Sequence, residues 1–319
     1  MNQPLKECLA IGIDIGGTNL RFALTDSSGH ILHRFRSTSH IEQGQPAFCK
    51  RLIDGITRIK LFSDNRGATL MGICAGVPGL VDKEGVIRSS VNMRPLDGFN
   101  LSTYLEYRTG LPTVCCNDAN LIALGEHAFG AARELDSFIV ITIGTGLGSG
   151  LVLNRALWSG IGGFASEFGH VTVEPEGMLC PCGNKGCLEQ YVSAGAIVRS
   201  ARTLLDRELL DTFTSPLVAS QVAQVARQGH VFALAAFEDA GRYLGIALSS
   251  LANTLNLQAA VICGGVSASL DLMLPALQKE MAIRCFPLIA ADFSIIAGTL
   301  GDDAGILGAA AMIQSMARS

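Results

Sequence analysis

From Ala165 to Glu189 the chain reads ASEFGHVTVEPEGMLCPCGNKGCLE, a short span with one histidine, three cysteines and four glutamates. His170, Cys180, Cys182 and Cys187 supply one nitrogen and three sulfurs, the donor set of a tetrahedral zinc ion. The C-x-C pair and the third cysteine five residues on need tight bends, and Gly183 and Gly186 permit them. Four protein ligands leave no position for a reactive water, so such a zinc is structural. The competing reading is three coincidental thiols beside an ordinary histidine; their clustering at metal-ligand spacing favours the metal. A metal here pins two acids near one point, since Glu167 lies three residues before His170 and Glu189 two after Cys187. Once one ring nitrogen of His170 holds metal, the other becomes an N–H donor of fixed tautomer. Glu174 and Glu176 read as solvated loop residues.

Glycine turns offer a second chemistry. In DIGGTN, Gly16 and Gly17 follow a buried strand, where backbone N–H groups without side chains can approach an anion closely. Asp14 ends that strand, placed to act on a metal ion or its waters; Thr18 adds a hydroxyl before Asn19. The turn GTG sets Thr145 between Gly144 and Gly146, and a later strand ends in Gly264 and Gly265, a pair suited to packing a base or ribose. A lone Gly-Gly reads as a tight hairpin. Two matched turns, one with an acid, and a third glycine pair favour the phosphates of one nucleotide held from two sides. No GxxxxGK[ST] loop occurs, and in GTGLGSG Ser149 stands where the last glycine of GxGxxG belongs, so the Walker and dinucleotide readings fail. Asp118 follows a strand and precedes a helix, where strand ends meet ligands in α/β folds. Taken as an isolated Asn-Asp pair, Asn117 and Asp118 read instead as a helix cap.

Alternating elements must position these groups. CLAIGID (8–14), LRFALTD (20–26) and ILHRFRS (31–37) predict three antiparallel strands joined by tight turns. The segment 46–62 puts Phe48, Leu52, Ile56 and Ile59 on one helical face. Strands follow at 69–76 and 112–118, with a helix at LSTYLEYRTG between them. SFIVITIG (137–144) then enters the second glycine turn and continues as LVL (151–153), so strand, glycine turn, strand occurs twice. Beyond residue 195 the pattern is helical, with a long buried helix at 229–256, a strand at 259–265 and a closing helix at 304–317. Interleaved strands and helices define the α/β class.

Composition narrows the partners. A chain of 319 residues suggests about two domains, and 49% apolar against 16% charged residues supplies a large core. Mean hydropathy is +0.36, yet no uninterrupted apolar run of about 18 residues suggests a membrane span. The stretch before Asp14 is too short and too soon charged, at Lys6 and Glu7, for a secretory signal, so a cytoplasmic, reducing setting is expected. A net charge of −4 without a basic run points away from nucleic acid and anionic membranes. Seven of the ten cysteines (Cys8, Cys49, Cys74, Cys115, Cys116, Cys263 and Cys285) are scattered, mostly in apolar surroundings where a thiol acts as a small hydrophobe.

The motifs IGIDIGGTNLRFAL, GVPGLVD, NDAN, GTGLGSG, SEFGH and CPCGNKGCLE, in this order, resemble the ROK family of sugar kinases across nearly the whole chain. The cysteine stretch fits that family's C-x-C-G-x-x-G-C-x-E pattern at every fixed position. The resemblance implies a two-domain actin-like ATPase fold with nucleotide and sugar bound in a cleft, and a homodimer. It divides the chain into a small domain at 1–116, a large one at 117–303, and a helix at about 304–319 that packs back on the first. It makes Asp118 the general base and Asn92, Asn117, Glu167, His170 and Glu189 sugar contacts. The expected reaction is ATP-dependent, Mg²⁺-assisted phosphorylation of a hexose, glucose at the 6-hydroxyl first. Fructose, mannose, allose or an N-acetylhexosamine are the alternative acceptors, and polyphosphate an alternative donor. Sugar-sensing repressors of the family carry a helix-turn-helix module before the DIGGT-like strand, and thirteen residues before Asp14 leave no room for one. NLQAAVICGGVS lacks the family's usual proline, Val266 replaces a frequent glycine, and Leu96 a frequent aromatic residue.

Overall fold

The computed structural model describes residues 7–205 and 216–316. Residues 1–6, 206–215 within the expected large domain, and 317–319 at the end of the expected closing helix lie outside them. The chain forms two compact units: Met1–Glu134 with Gly150–Ser166 and Thr299–Ser319, and Leu135–Ser149 with Glu167–Gly298.

The first sheet grows from β1 (Cys8–Ile15), β2 (Asn19–Thr25), β3 (Ile31–Thr38), β4 (Thr69–Val77) and β7 (Thr113–Asn117) in the order β3-β2-β1-β4-β7. The first three pair antiparallel, as their tight turns require, and β4 and β7 add parallel to β1. Strand period 2 sorts β1 into two faces. Leu9, Ile11 and Ile13 pack with Phe48, Leu52, Ile56 and Ile59 of α1 (Gln45–Asn65), the predicted helical face. Ala10 faces the other way, with Ala309, Ala310 and Ile313 of α10 (Ala304–Met316). Against α10 lies α3 (Asp118–Phe129), the helix that begins at Asp118. Glycine at 125 and 308 makes this packing possible, because a methyl group at either would overlap the backbone of the facing helix. The short strands β5 (Leu80–Val81) and β6 (Ile87–Ser89) pair as a hairpin ahead of α2 (Leu101–Thr109).

The second sheet repeats the plan. β8 (Phe138–Ile143), β9 (Leu147–Leu153), β10 (Ala156–Leu157), β11 (Ala259–Cys263) and β12 (Ser294–Ala297) take the order β10-β9-β8-β11-β12, with β11 parallel to both neighbours. Third, second, first, fourth, fifth is the order in both sheets. The remaining helices are α4 (Glu189–Val192), α5 (Ala194–Leu204), α6 (Ala219–Arg227), α7 (Val231–Leu255), α8 (Leu270–Arg284) and α9 (Pro287–Asp292). The long α7 packs on α8, α5 and α6 and buries Phe237, Leu244 and Leu248. Among the described residues no helix is long and apolar enough to cross a membrane.

Candidate active site

Both glycine turns sit between the first two strands of a sheet, and both are braced by backbone. In the first, the Gly16 N–H donates to the Asn19 carbonyl at 2.8 Å, and the Ser39 N–H to the Thr18 carbonyl at 2.8 Å. The Ser39 hydroxyl also donates to the Gly17 carbonyl. Thr18 and Asn19 remain exposed. Asn92 lies beside this turn, since a methyl group on Gly17 would come 3.6 Å from its Cβ. The β1–β2 register sets Asp14 opposite Arg21, whose guanidinium lies 3.7 Å from it and 3.5 Å from Asp302. Burial raises the Asp14 carboxyl above its ordinary value; Arg21 opposes this and Asp302 adds to it. A cation at this acid would reverse that balance.

A pH effect follows from Asp14. The folded protein holds its proton to higher pH than the unfolded chain, so stability falls as pH rises through the range above the ordinary carboxylate value. Asp14→Asn is therefore expected to match the wild type in melting temperature near pH 4 and to exceed it near pH 7. Melting curves at the two pH values check this; a variant less stable at pH 7 than at pH 4, relative to wild type, contradicts it.

In the second turn the Gly144 N–H donates to the Gly146 carbonyl at 2.9 Å, and the Gly144 carbonyl accepts from Ala194 N–H at 2.9 Å. Thr145 is exposed at its tip. Glu189 is fastened to this turn: its Oε2 accepts from the Leu147 N–H at 2.8 Å, and a methyl group on Gly146 would lie 2.5 Å from that oxygen. Gly264, at φ +83°, brings its backbone against Ile143, where a methyl group would lie 2.5 Å from the Ile143 carbonyl oxygen. The third glycine pair, Gly264 and Gly265, thus lies beside the second turn.

The sulfurs and the imidazole also converge. The ligand atoms of His170, Cys180, Cys182 and Cys187 lie within 4.8 Å of one another, with His170 Nδ1 3.6 Å from Cys180 Sγ and Cys182 Sγ 3.6 Å from Cys187 Sγ. Ligands about 2.3 Å from a tetrahedral ion stand about 3.8 Å apart, so the donor set fits one ion. Burial pushes the Cys187 thiol up to about 12, with Cys182 and Cys180 adding to it, a cost that a bound dication removes. The amides of Asn184 and Gln190 donate to Cys187 and Cys180 at 3.4 and 3.7 Å. With Nδ1 turned to sulfur, His170 has Nε2 for another partner. Glu167 opens the turn Phe168–His170, and its carboxyl is raised by burial, lowered by His170 and raised by Glu189. Ser166 before it holds φ +70°, a left-handed backbone that non-glycine residues seldom adopt.

In the first unit, Asn117 is the cap of α3. Its Oδ1 accepts from the Ala119 and Asn120 N–H groups at 2.9 and 3.2 Å, and its Nδ2 donates to the Gly79 carbonyl at 3.1 Å. Asp118 is the first helical residue and accepts from Ala119 N–H at 2.9 Å. Leu96 is fully buried in the core of this unit, where its role is packing.

Sequence reading missed Arg21, Ser39 and Asn120. The first was legible, because a hairpin turning at Gly16–Thr18 must pair Asp14 with Arg21. Ser39 acts through backbone that no side-chain pattern reveals. Asn120 is 2% exposed with no hydrogen-bond partner for its Oδ1 among the described residues, and only its neighbours in NDAN hinted at it.

Two sheets of one strand order, each with a glycine turn between its first two strands, define the two-domain actin-like ATPase fold of sugar kinases. The ROK family model matches residues 10–316, and the chain belongs to that family. It is 33% identical over 317 residues to a glucokinase of Halalkalibacterium halodurans, covering 97% of this chain and 96% of that one. It is 32% identical over 312 residues to the xylose repressor of Bacillus subtilis, covering 97% of this chain and 77% of the repressor. Among solved structures, the Streptomyces griseus ROK glucokinase in complex with glucose and AMPPNP is 31% identical, with a TM-score of 0.81 over 96% of this chain and 99% of that one.

Proposed function

We propose that this chain transfers the γ-phosphoryl group of ATP to a hexose, glucose at its 6-hydroxyl before others, with Asp118 as general base. The observation that carries the reading is the division of labour at the start of α3. Asn117 does the capping, so the acid beside it is not needed for that purpose. Asp118 takes the hydroxyl proton as the sugar oxygen attacks the γ-phosphorus in line, and ADP leaves with the bond electrons. Asn92, Asn117, Glu167, His170 through Nε2, and Glu189 hold the sugar hydroxyls. Gly16 to Asn19 and Gly144 to Gly146 form the two phosphate turns, closed by the N–H groups of Gly16 and Gly144, with the N–H groups of Gly17, Thr18, Thr145 and Gly146 toward the phosphates and Gly264 and Gly265 toward the nucleoside. Mg²⁺, when bound, neutralises phosphate charge, and Asp14 would hold it or its waters. A structural zinc on His170, Cys180, Cys182 and Cys187 would keep the loop of Glu167 and Glu189 in register.

Likeness to the Bacillus subtilis xylose repressor favours a second reading, a sugar-responsive regulator without turnover. ADP release measured with ATP and Mg²⁺ over a panel of hexoses separates the two. The kinase reading expects release that depends on sugar, with glucose among the best acceptors. Equal release with and without sugar, or none with any hexose, rejects it.

A further inference from the structure

A cavity of about 360 Å³ opens on the second unit between α5 and α7, next to the metal loop. Arg199, Ser200 and Thr203 line it from α5, Asp239, Arg242 and Tyr243 from α7, and Tyr191 from α4. Tyr191 and Tyr243 pack ring to ring with centroids 4.1 Å apart, and the Arg242 guanidinium lies over the Tyr243 ring at 4.1 Å. Arg199 gives one donor to the Gln190 carbonyl. Among the described residues neither arginine is ion-paired, so most of their N–H donors lack an acceptor. Arg199 is exposed and Arg242 half-buried, and a guanidinium fork not paired with a carboxylate is suited to a phosphate, which it can grip with two parallel hydrogen bonds. Asp239 on the same wall accepts hydrogen bonds and repels a bare anion, so it fits a ligand with hydroxyl donors away from its phosphate. An aromatic pair adds an apolar face for a sugar ring.

We infer that this cavity binds a phosphorylated sugar, at a site separate from the residues assigned above to phosphoryl transfer. Its walls are tied to the metal loop. The Met178 N–H donates to Tyr191 Oη at 2.9 Å, and Gln190, held by Arg199, donates to Cys180 and adjoins Glu189. A ligand gripping Arg199 therefore acts on the segment that carries Glu189 and a metal-site cysteine. The site stands whether or not the chain turns over ATP.

Calorimetry on the full chain tests it, with glucose 6-phosphate, glucose and inorganic phosphate as probes and glucose plus AMPPNP at saturation, which blocks product binding among the proposed transfer residues. Glucose 6-phosphate is expected to bind the wild type, and about tenfold or more weaker to the Arg199→Gln, Arg242→Gln double variant, because charged hydrogen bonds are lost. Inorganic phosphate should bind more weakly than the ester, and glucose should add no heat. Asp239→Asn, which leaves both guanidinium groups, should weaken the ester and not inorganic phosphate, and it covers the case of a double variant that fails to fold. No binding of the ester, equal binding to the double variant, or phosphate as tight as the ester overturns the assignment.

Discussion

Asp118→Asn is expected to lower kcat by about 10²–10⁴, the usual worth of a positioned general base. Asparagine keeps the size of the side chain and its hydrogen-bonding reach, so glucose binding by calorimetry should persist. The fold should persist as well, because Asn117 provides the cap of α3. What the fold loses is an acid in the first turn of a helix, a contribution of about 0.3–1 kcal/mol, or a few degrees of melting temperature at most. A purely structural Asp118 predicts the opposite pattern, with kcat nearly unchanged. Retention of more than about a tenth of wild-type kcat would rule out the base assignment.

Purified protein is expected to hold close to one zinc per chain, and Cys182→Ser to lose it. Cys182 is the exposed member of the cluster, while Cys180 and Cys187 are buried, so its replacement opens the site with little direct loss of packing. The cost should still exceed about 4 kcal/mol, the range that lost metals and similar lesions reach. Weaker sugar binding should appear before global unfolding, because His170 belongs to the proposed ligand set and Glu189 follows Cys187 by two residues. A chelator should reproduce this on the wild type, with recovery on added zinc. Elemental analysis of protein made without an affinity tag decides the matter; fully active protein with zinc near zero contradicts it.

Both predictions rest on features of unequal legibility. The repeat of strand, glycine turn and strand was readable at 11–24 and 139–153 because glycines punctuate buried apolar runs, and it became two sheets of one order. In the second copy the strand resumes at Leu147 rather than Leu151, since Gly148 and Gly150 extend as β9 instead of turning. Cysteine spacing alone predicted convergence of the metal donors. The two-residue strands β5 and β10 and the short edge strand β12 escaped notice, as segments of that length show no periodicity. Contacts set by tertiary folding were out of reach altogether. Nothing local tells that Glu189 docks on the turn of Gly146, or that Leu96 is core. The identity of the cap was a matter of one backbone step, which a sequence does not resolve.

Transfer of labelled γ-phosphate from ATP, followed in parallel with glucose and with 6-deoxyglucose, tests the central claim most directly. The two sugars share every hydroxyl but the one that should react. Label is expected to appear in glucose 6-phosphate with the first sugar, while the second binds and leaves ATP intact. Equal labelling of both sugars, or label found only in inorganic phosphate at a rate indifferent to sugar, would contradict it.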